Sequence, residues 1–206
     1  MAIDWTTLTA AKTTLGSVAN WLNRSDLPTD NILLEAEAWL YQYLRVREML
    51  TAAPFTFDSA ASTEALPSGF LDPLHFVPYE WGDALRYEGQ ETFKPPRDEN
   101  GALFASSTPA CWSILGETAY IDVLLDANFV GILTYYATPS ALSVSNTTNF
   151  LTRRYPRLLR RSCMAIGFEH MKDTSRAQEY YGLAMADIME ANKTNEMHRR
   201  GQSIAA

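Results

Sequence analysis

Trp21 to Met49 reads WLNRSDLPTDNILLEAEAWLYQYLRVREM, and this stretch decides how the rest of the chain is read. Ile32, Ala36, Trp39, Leu40, Tyr43 and Leu44 recur at three- and four-residue spacing, so they line one face of a helix. Glu35, Glu37, Gln42, Arg45 and Glu48 fall mostly elsewhere on it. The pattern predicts a long helix running toward Met49. Pro28 closes a turn before it, and Thr29 or Asp30 can cap it by accepting a backbone N–H. Upstream, Leu8, Ala11, Leu15, Val18 and Leu22 form a second apolar stripe. Asp4 suits the cap of that helix, and Ile3 can staple onto Leu8. An antiparallel helical pair follows.

At Pro54 the character of the chain changes. From there to about Pro139, short β-prone runs alternate with clusters of Pro, Gly, Asn and Asp, the pattern of strands and turns. Ala53–Phe57 and Leu71–Val77 are candidate strands, and Trp81–Glu88 and Glu91–Lys94 weaker ones. Cys111–Leu115, Thr118–Leu125 and Val130–Ala137 are the clearest. Alternation puts Ala119, Ile121, Val123 and Leu125 on one face. Spacing this close favours antiparallel hairpins. After a polar loop, PSALSVSNTTN from Pro139 to Asn149, helical periodicity returns. Phe150–Arg154 reads as a short helical turn and Pro156–Met171 as a helix with proline at its first position. A last helix starts near Asp173–Ser175, with Ser175 and Gln178 as a capping box. Ala177, Tyr180, Tyr181, Ala184, Met185 and Ile188 form its inner face.

The fold class is therefore α+β. The N- and C-terminal helical pairs, residues 1–51 and 147–192, make a four-helix bundle. Residues 52–146 form a central antiparallel β-rich insertion, and residues 193–206, polar and aperiodic, a C-terminal arm.

Composition bounds the function. The 206 residues carry a net charge of -7, which argues against a protein that wraps nucleic acid. It is compatible with one that DNA slides through. No apolar run approaches the roughly 20 residues of a membrane span, and no signal peptide is visible at the start, so synthesis in cytoplasm is expected. Cys111 and Cys163 are far apart and expected as reduced, buried thiols. No phosphate-binding loop, nucleophile elbow or metal-ligand spacing occurs, and His75, His170 and His198 are scattered. No cofactor, metal or catalytic residue is expected. Glu35 and Glu37 point to different faces and read as solvated or interface carboxylates rather than an acid/base pair.

One charge cluster stands out: Arg153, Arg154, Arg157, Arg160 and Arg161. Three readings apply to it. The arginines form a solvated face, pair with carboxylates on a neighbouring subunit, or contact DNA phosphate. The acidic balance ranks subunit pairing above DNA. Arg199 and Arg200 in the arm are further interface candidates.

Three stretches carry a resemblance. WLNRSDL with the acidic-aromatic helix and LRVREM, then YYATPSALSVSNTTNFLTRRYPRLL from Tyr135 to Leu159, then DTSRAQEYYGLAMADI from Asp173 to Ile188, resemble in order the adaptor, or head-to-tail connector, proteins of short-tailed bacteriophages. These are also called tail tubular protein A. Arg160-Arg161 departs from that pattern, where less charged residues are usual. The resemblance implies a non-enzymatic virion protein that forms a dodecameric ring with copies of itself. Its partners would be the portal protein above and the tail nozzle protein below. The genome would pass through its channel without sequence-specific binding. It further implies that residues 21–49 and 149–191 build the bundle and much of the ring contact, and that the β region faces the next tail component. A nucleic-acid-binding module using Arg153–Arg161 is the alternative.

Overall fold

The structure is a computed structural model that describes residues 18, 20–24, 26–95, 97, 99, 101–106, 108–143, 146 and 148–199. The chain divides into two compact units, one of residues up to Met49 and from Pro139 onward, the other Leu50–Thr138. The fold is mixed α+β, with helices at both ends of the chain and two sheets between them.

The helical unit holds α1 (Thr29–Tyr43), α2 (Phe150–Arg154), α3 (Pro156–His170) and α4 (Thr174–Arg199). Among the described residues only α1, α3 and α4 are long. The opening helix expected from Trp5 lies outside the described residues apart from Val18 and Asn20–Leu22, which are helical there. α3 is the axis of the unit, since every residue from Ser162 to Phe168 is buried. A helix covered on all sides has neighbours on all sides. α4 lays Ala177, Ala184 and Ile188 inward, while Tyr180, Tyr181 and Met185 are half-buried. Leu22 packs so tightly on Gly167 that no Cβ fits there.

Four helix ends differ from the sequence expectation. α1 begins at Thr29 with Pro28 in the cap position and no side-chain cap. It stops at Tyr43 rather than running on toward Met49. Leu44 is extended, and a 3-10 turn at Arg47–Met49 follows. Asn192 on α4 causes this: its Oδ1 accepts from Arg45 N at 2.7 Å and its Nδ2 donates to Tyr43 O at 2.8 Å. A side chain thus takes groups that helical hydrogen bonds would otherwise use. α4 starts after Asp173, whose carboxylate accepts from Arg176 N at 3.1 Å, so Ser175 is not the cap. α4 also continues past Asn192 to Arg199, where periodicity alone suggested an arm. Asn195 donates to Arg45 O at 3.1 Å and holds these residues against the end of α1.

Among the described residues the β unit has seven strands: β1 (Leu50–Phe57), β2 (Thr63–Ala65), β3 (Phe70–Pro78), β4 (Arg86–Tyr87), β5 (Cys111–Leu115), β6 (Thr118–Ile121) and β7 (Phe129–Ala137). One sheet has the order β1-β7-β3 and the other β2-β6-β5-β4. Of the three clearest runs, only β5 and β6 form a hairpin, closed by Gly116 at φ 63°. β7 crosses to the other sheet, where β1 and β3 flank it. The strand expected over Thr118–Leu125 ends at Ile121. There the Asp122 carboxylate turns to accept from Ala110 N at 3.1 Å, and Leu124 bridges Ala105. Glu91–Lys94 is not a strand, β4 is reduced to two residues, and its pairing with β5 is parallel. β2 is too short for periodicity to reveal.

Phe55, Phe57, Phe76 and Trp112 meet edge-to-face at the centre of this unit. Ala119, Ile121, Val123 and Leu125 join them in one core, as their alternation implied. Gly131 lets β7 pass beneath Phe76. An added Cβ would strike Val77 O and stand 2.7 Å from Phe76 Cζ. Backbone on one side and a packed ring on the other leave no room. Gly131→Ala is therefore expected to destabilise the protein by about 1–3 kcal/mol, as overpacking does. Urea denaturation would measure it, and an unchanged midpoint would show that the strand can yield.

Candidate functional site

The arginine run sits where α2 meets α3. Asn149 caps α2: its side chain accepts from Leu151 N and Thr152 N, and Thr152 Oγ1 in turn accepts from Asn149 N. Tyr155 leaves the helical region at φ -125°, and Pro156 opens α3. The five arginines consequently spread over different surroundings rather than forming one face. Arg153 donates from Nε to Asn149 O at 3.3 Å. Arg154 pairs with Glu48. Arg157 and Arg161 converge on Asp187 of α4, the latter at 2.6 Å. Arg160 stacks 5.4 Å over the Trp21 ring. Burial alone would push Asp187 up, but the hydrogen bonds and charge of the two guanidiniums hold it below the usual carboxylate range. Arg199 ends α4; its side chain and Arg200 lie outside the described residues.

Between the start of α3 and α4 lies a groove of about 370 Å³. Arg154 and Arg157 stand beside Tyr155, Pro156, Leu158 and Ala191 in its lining, together with Asp187 and Glu190. His170 Nε2 meets Glu35 at 3.1 Å near the other end of α3.

Glu37 overturns its expected place. It reads as a solvated or interface carboxylate, yet it is 1% exposed. Tyr41 Oη donates to it at 3.0 Å, Asn149 Nδ2 at 2.7 Å and Leu142 N at 2.9 Å. It ties α1 to both ends of the loop that leads into α2. Burial raises its pKa, partly opposed by these hydrogen bonds. Its spacing to Tyr41, one helical turn on, was the available signal; the partners in the distant loop left none. Both cysteines are buried and unbridged. Burial, with the Asp122 and Glu88 charges, pushes the Cys111 thiol up to about 11.

Among the described residues, no group of three His, Cys, Asp or Glu could hold a metal ion, and no helix is long and apolar enough to cross a membrane. The chemistry present is that of charge pairing and packing, the means by which proteins assemble. The family model for the SU10 adaptor protein matches residues 9–205. The chain belongs to the SU10 adaptor protein family. It is a phage adaptor, a structural protein of a family that is not enzymatic, with a role in the virion. No curated protein matches the chain.

Two substitutions probe this region. The folded state takes up a proton on Glu37 at higher pH than the unfolded chain does, so the residue's contribution is full below the unfolded pKa and lost as pH rises through the folded one. The stability advantage of wild type over Glu37→Gln should decline as pH rises above the ordinary glutamate pKa of about 4.3. A difference constant in pH would contradict the raised pKa. Asn192→Ala leaves Arg45 N and Tyr43 O without these partners. It should cost about 1–3 kcal/mol and speed hydrogen exchange over residues 193–199, and exchange unchanged there would mean the bonds do not hold α4.

Proposed function

We propose that this adaptor forms a head-to-tail ring, joining the portal to the tail nozzle and lining part of the DNA channel. The match of the SU10 adaptor family over residues 9–205 carries the reading, and the tail tubular protein A resemblance supplies its finer detail. Copies of the chain assemble as a dodecamer at the head-tail interface of the virion. DNA passes through without sequence-specific contacts.

In this reading the helical unit is a four-helix bundle completed by the opening helix. The burial of Val18, the fit of Leu22 on Gly167 and the stacking of Arg160 on Trp21 support that fourth member. The Arg153–Arg161 run serves a protein interface rather than DNA. Support comes from Arg154, Arg157 and Arg161, which already engage carboxylates within the chain. The β unit meets the next tail component. The arm, residues 193–206, reaches the portal with its first turns carried by the end of α4 and with Arg199 and Arg200 meeting carboxylates.

Electron microscopy of the protein mixed with its portal tests the proposal. A twelvefold ring seated beneath the portal is expected, and deletion of residues 200–206 should weaken that binding. A protein that binds no portal would overturn the adaptor ring. Retention on DNA that falls steeply with salt would instead favour a nucleic-acid module.

A further inference from the structure

The two units differ sharply in charge. Leu50–Thr138 carries twelve Asp and Glu against three Lys and Arg, a net of -9. The remaining residues carry twelve against fourteen, a net of +2. The acidic residues are evenly divided, and the net negative charge of the chain lies in the β unit because that unit has few Lys and Arg.

On the helical unit the positive charge is concentrated in the arginine run. Among the described residues, five guanidiniums there meet two carboxylates, Glu48 and Asp187. Arg157 and Arg161 share one of them, and Arg157 remains 69% exposed. Arg157 and Arg160, three apart, are neighbours on the outer side of α3. An arginine can donate five hydrogen bonds in a fixed fork, so this surface keeps unspent donors. The groove beside it adds the apolar surface of Tyr155, Pro156 and Ala191.

The β unit presents the complement. In the turn after β3, Tyr79 is 60% exposed and precedes Glu80 and Asp83, both exposed. Among the described residues neither carboxylate forms an ion pair. Pro78 O accepts from Trp81 N, and Gly82 takes φ 72°, so the turn has a defined shape. It offers one exposed aromatic ring and two carboxylates within five residues, while Trp81 packs against the core.

A closed ring built by rotation needs two different, complementary patches on every copy. We propose that the Tyr79–Asp83 turn of one copy docks on Arg157, Arg160 and the groove beside them on its neighbour. This rests on the ring reading and names the surfaces that would build it. Tyr79 enters beside Tyr155 and Pro156, and Glu80 and Asp83 take the outward donors of Arg157 and Arg160. Charge of opposite sign steers the encounter and fixes the register of the contact.

Mixing variants tests the contact. Glu80→Lys with Asp83→Lys removes the acidic, accepting patch, and Arg157→Gln with Arg160→Gln removes the cationic, donating one. Each double variant keeps one good face. Native mass spectrometry and sedimentation velocity should find each alone largely monomeric, with association weakened about tenfold or more. The two mixed should form a dimer and no ring. Tyr79→Ala alone should weaken association without changing its salt dependence. Circular dichroism melts exclude misfolding, because the acidic pair is exposed and the glutamines keep hydrogen-bonding capacity. Rings that survive both double variants overturn this contact and leave the ring reading intact. A wild-type chain that stays monomeric with and without portal overturns both.

Discussion

A carboxylate removed from water must be given its hydrogen bonds back, and Glu37 places that demand on the helical unit. Desolvation disfavours its charge, and three donors from separate places offset the penalty. Tyr41 lies one turn along the same helix, but Leu142 and Asn149 lie more than a hundred residues away in sequence. The loop between β7 and α2 therefore cannot settle elsewhere without stranding the charge. Asn149 also caps α2, so the bond that satisfies Glu37 orients the start of the helix bearing Arg153 and Arg154. The position of the arginine run is thus tied to a buried acid on α1.

The β unit obeys a different constraint. Its first strand and its last are partners, with Leu50 opposite Tyr136. A segment that begins and ends on paired strands brings its termini together and can be inserted with little disturbance to its host. Both edges of that sheet carry proline, Pro54 in β1 and Pro73 in β3. Proline lacks the donor that a further strand would need, so these edges resist adding a strand from another copy. In the proposed ring, contacts made by this unit would then fall to turns and side chains. The exposed Tyr79 turn is of that kind, and the acidity of the unit suits it to a cationic partner surface.

Periodicity determined a good part of this architecture. Ile32, Ala36 and Leu40 of α1, Ala177, Ala184 and Ile188 of α4, the opening of α3 at Pro156, the location of β1, β3, β5 and β7, and the α+β class were legible. Tyr43, read as inward, is exposed, whereas Leu33 and Tyr41, outside the predicted stripe, are buried. Each legible feature reflects local physics, since burial of one side of a regular element leaves a repeat of 3.6 or 2 in the sequence. The arginine run and the family resemblance were legible too, because charge and motif are properties of the chain itself.

Tertiary structure decided the rest. α1 ends at Tyr43 because Asn192 and Asn195, far along the chain, take up backbone groups around Arg45. β7 leaves its sequence neighbours because β1 and β3 offer it longer partners. Glu37 looks like any helical surface glutamate until the loop that buries it is in place. The arginines look like one face, yet they divide among Glu48, Asp187, Asn149 and Trp21. In each case the deciding hydrogen bond or charge comes from residues distant in sequence, and no local repeat encodes a partner that only folding brings near.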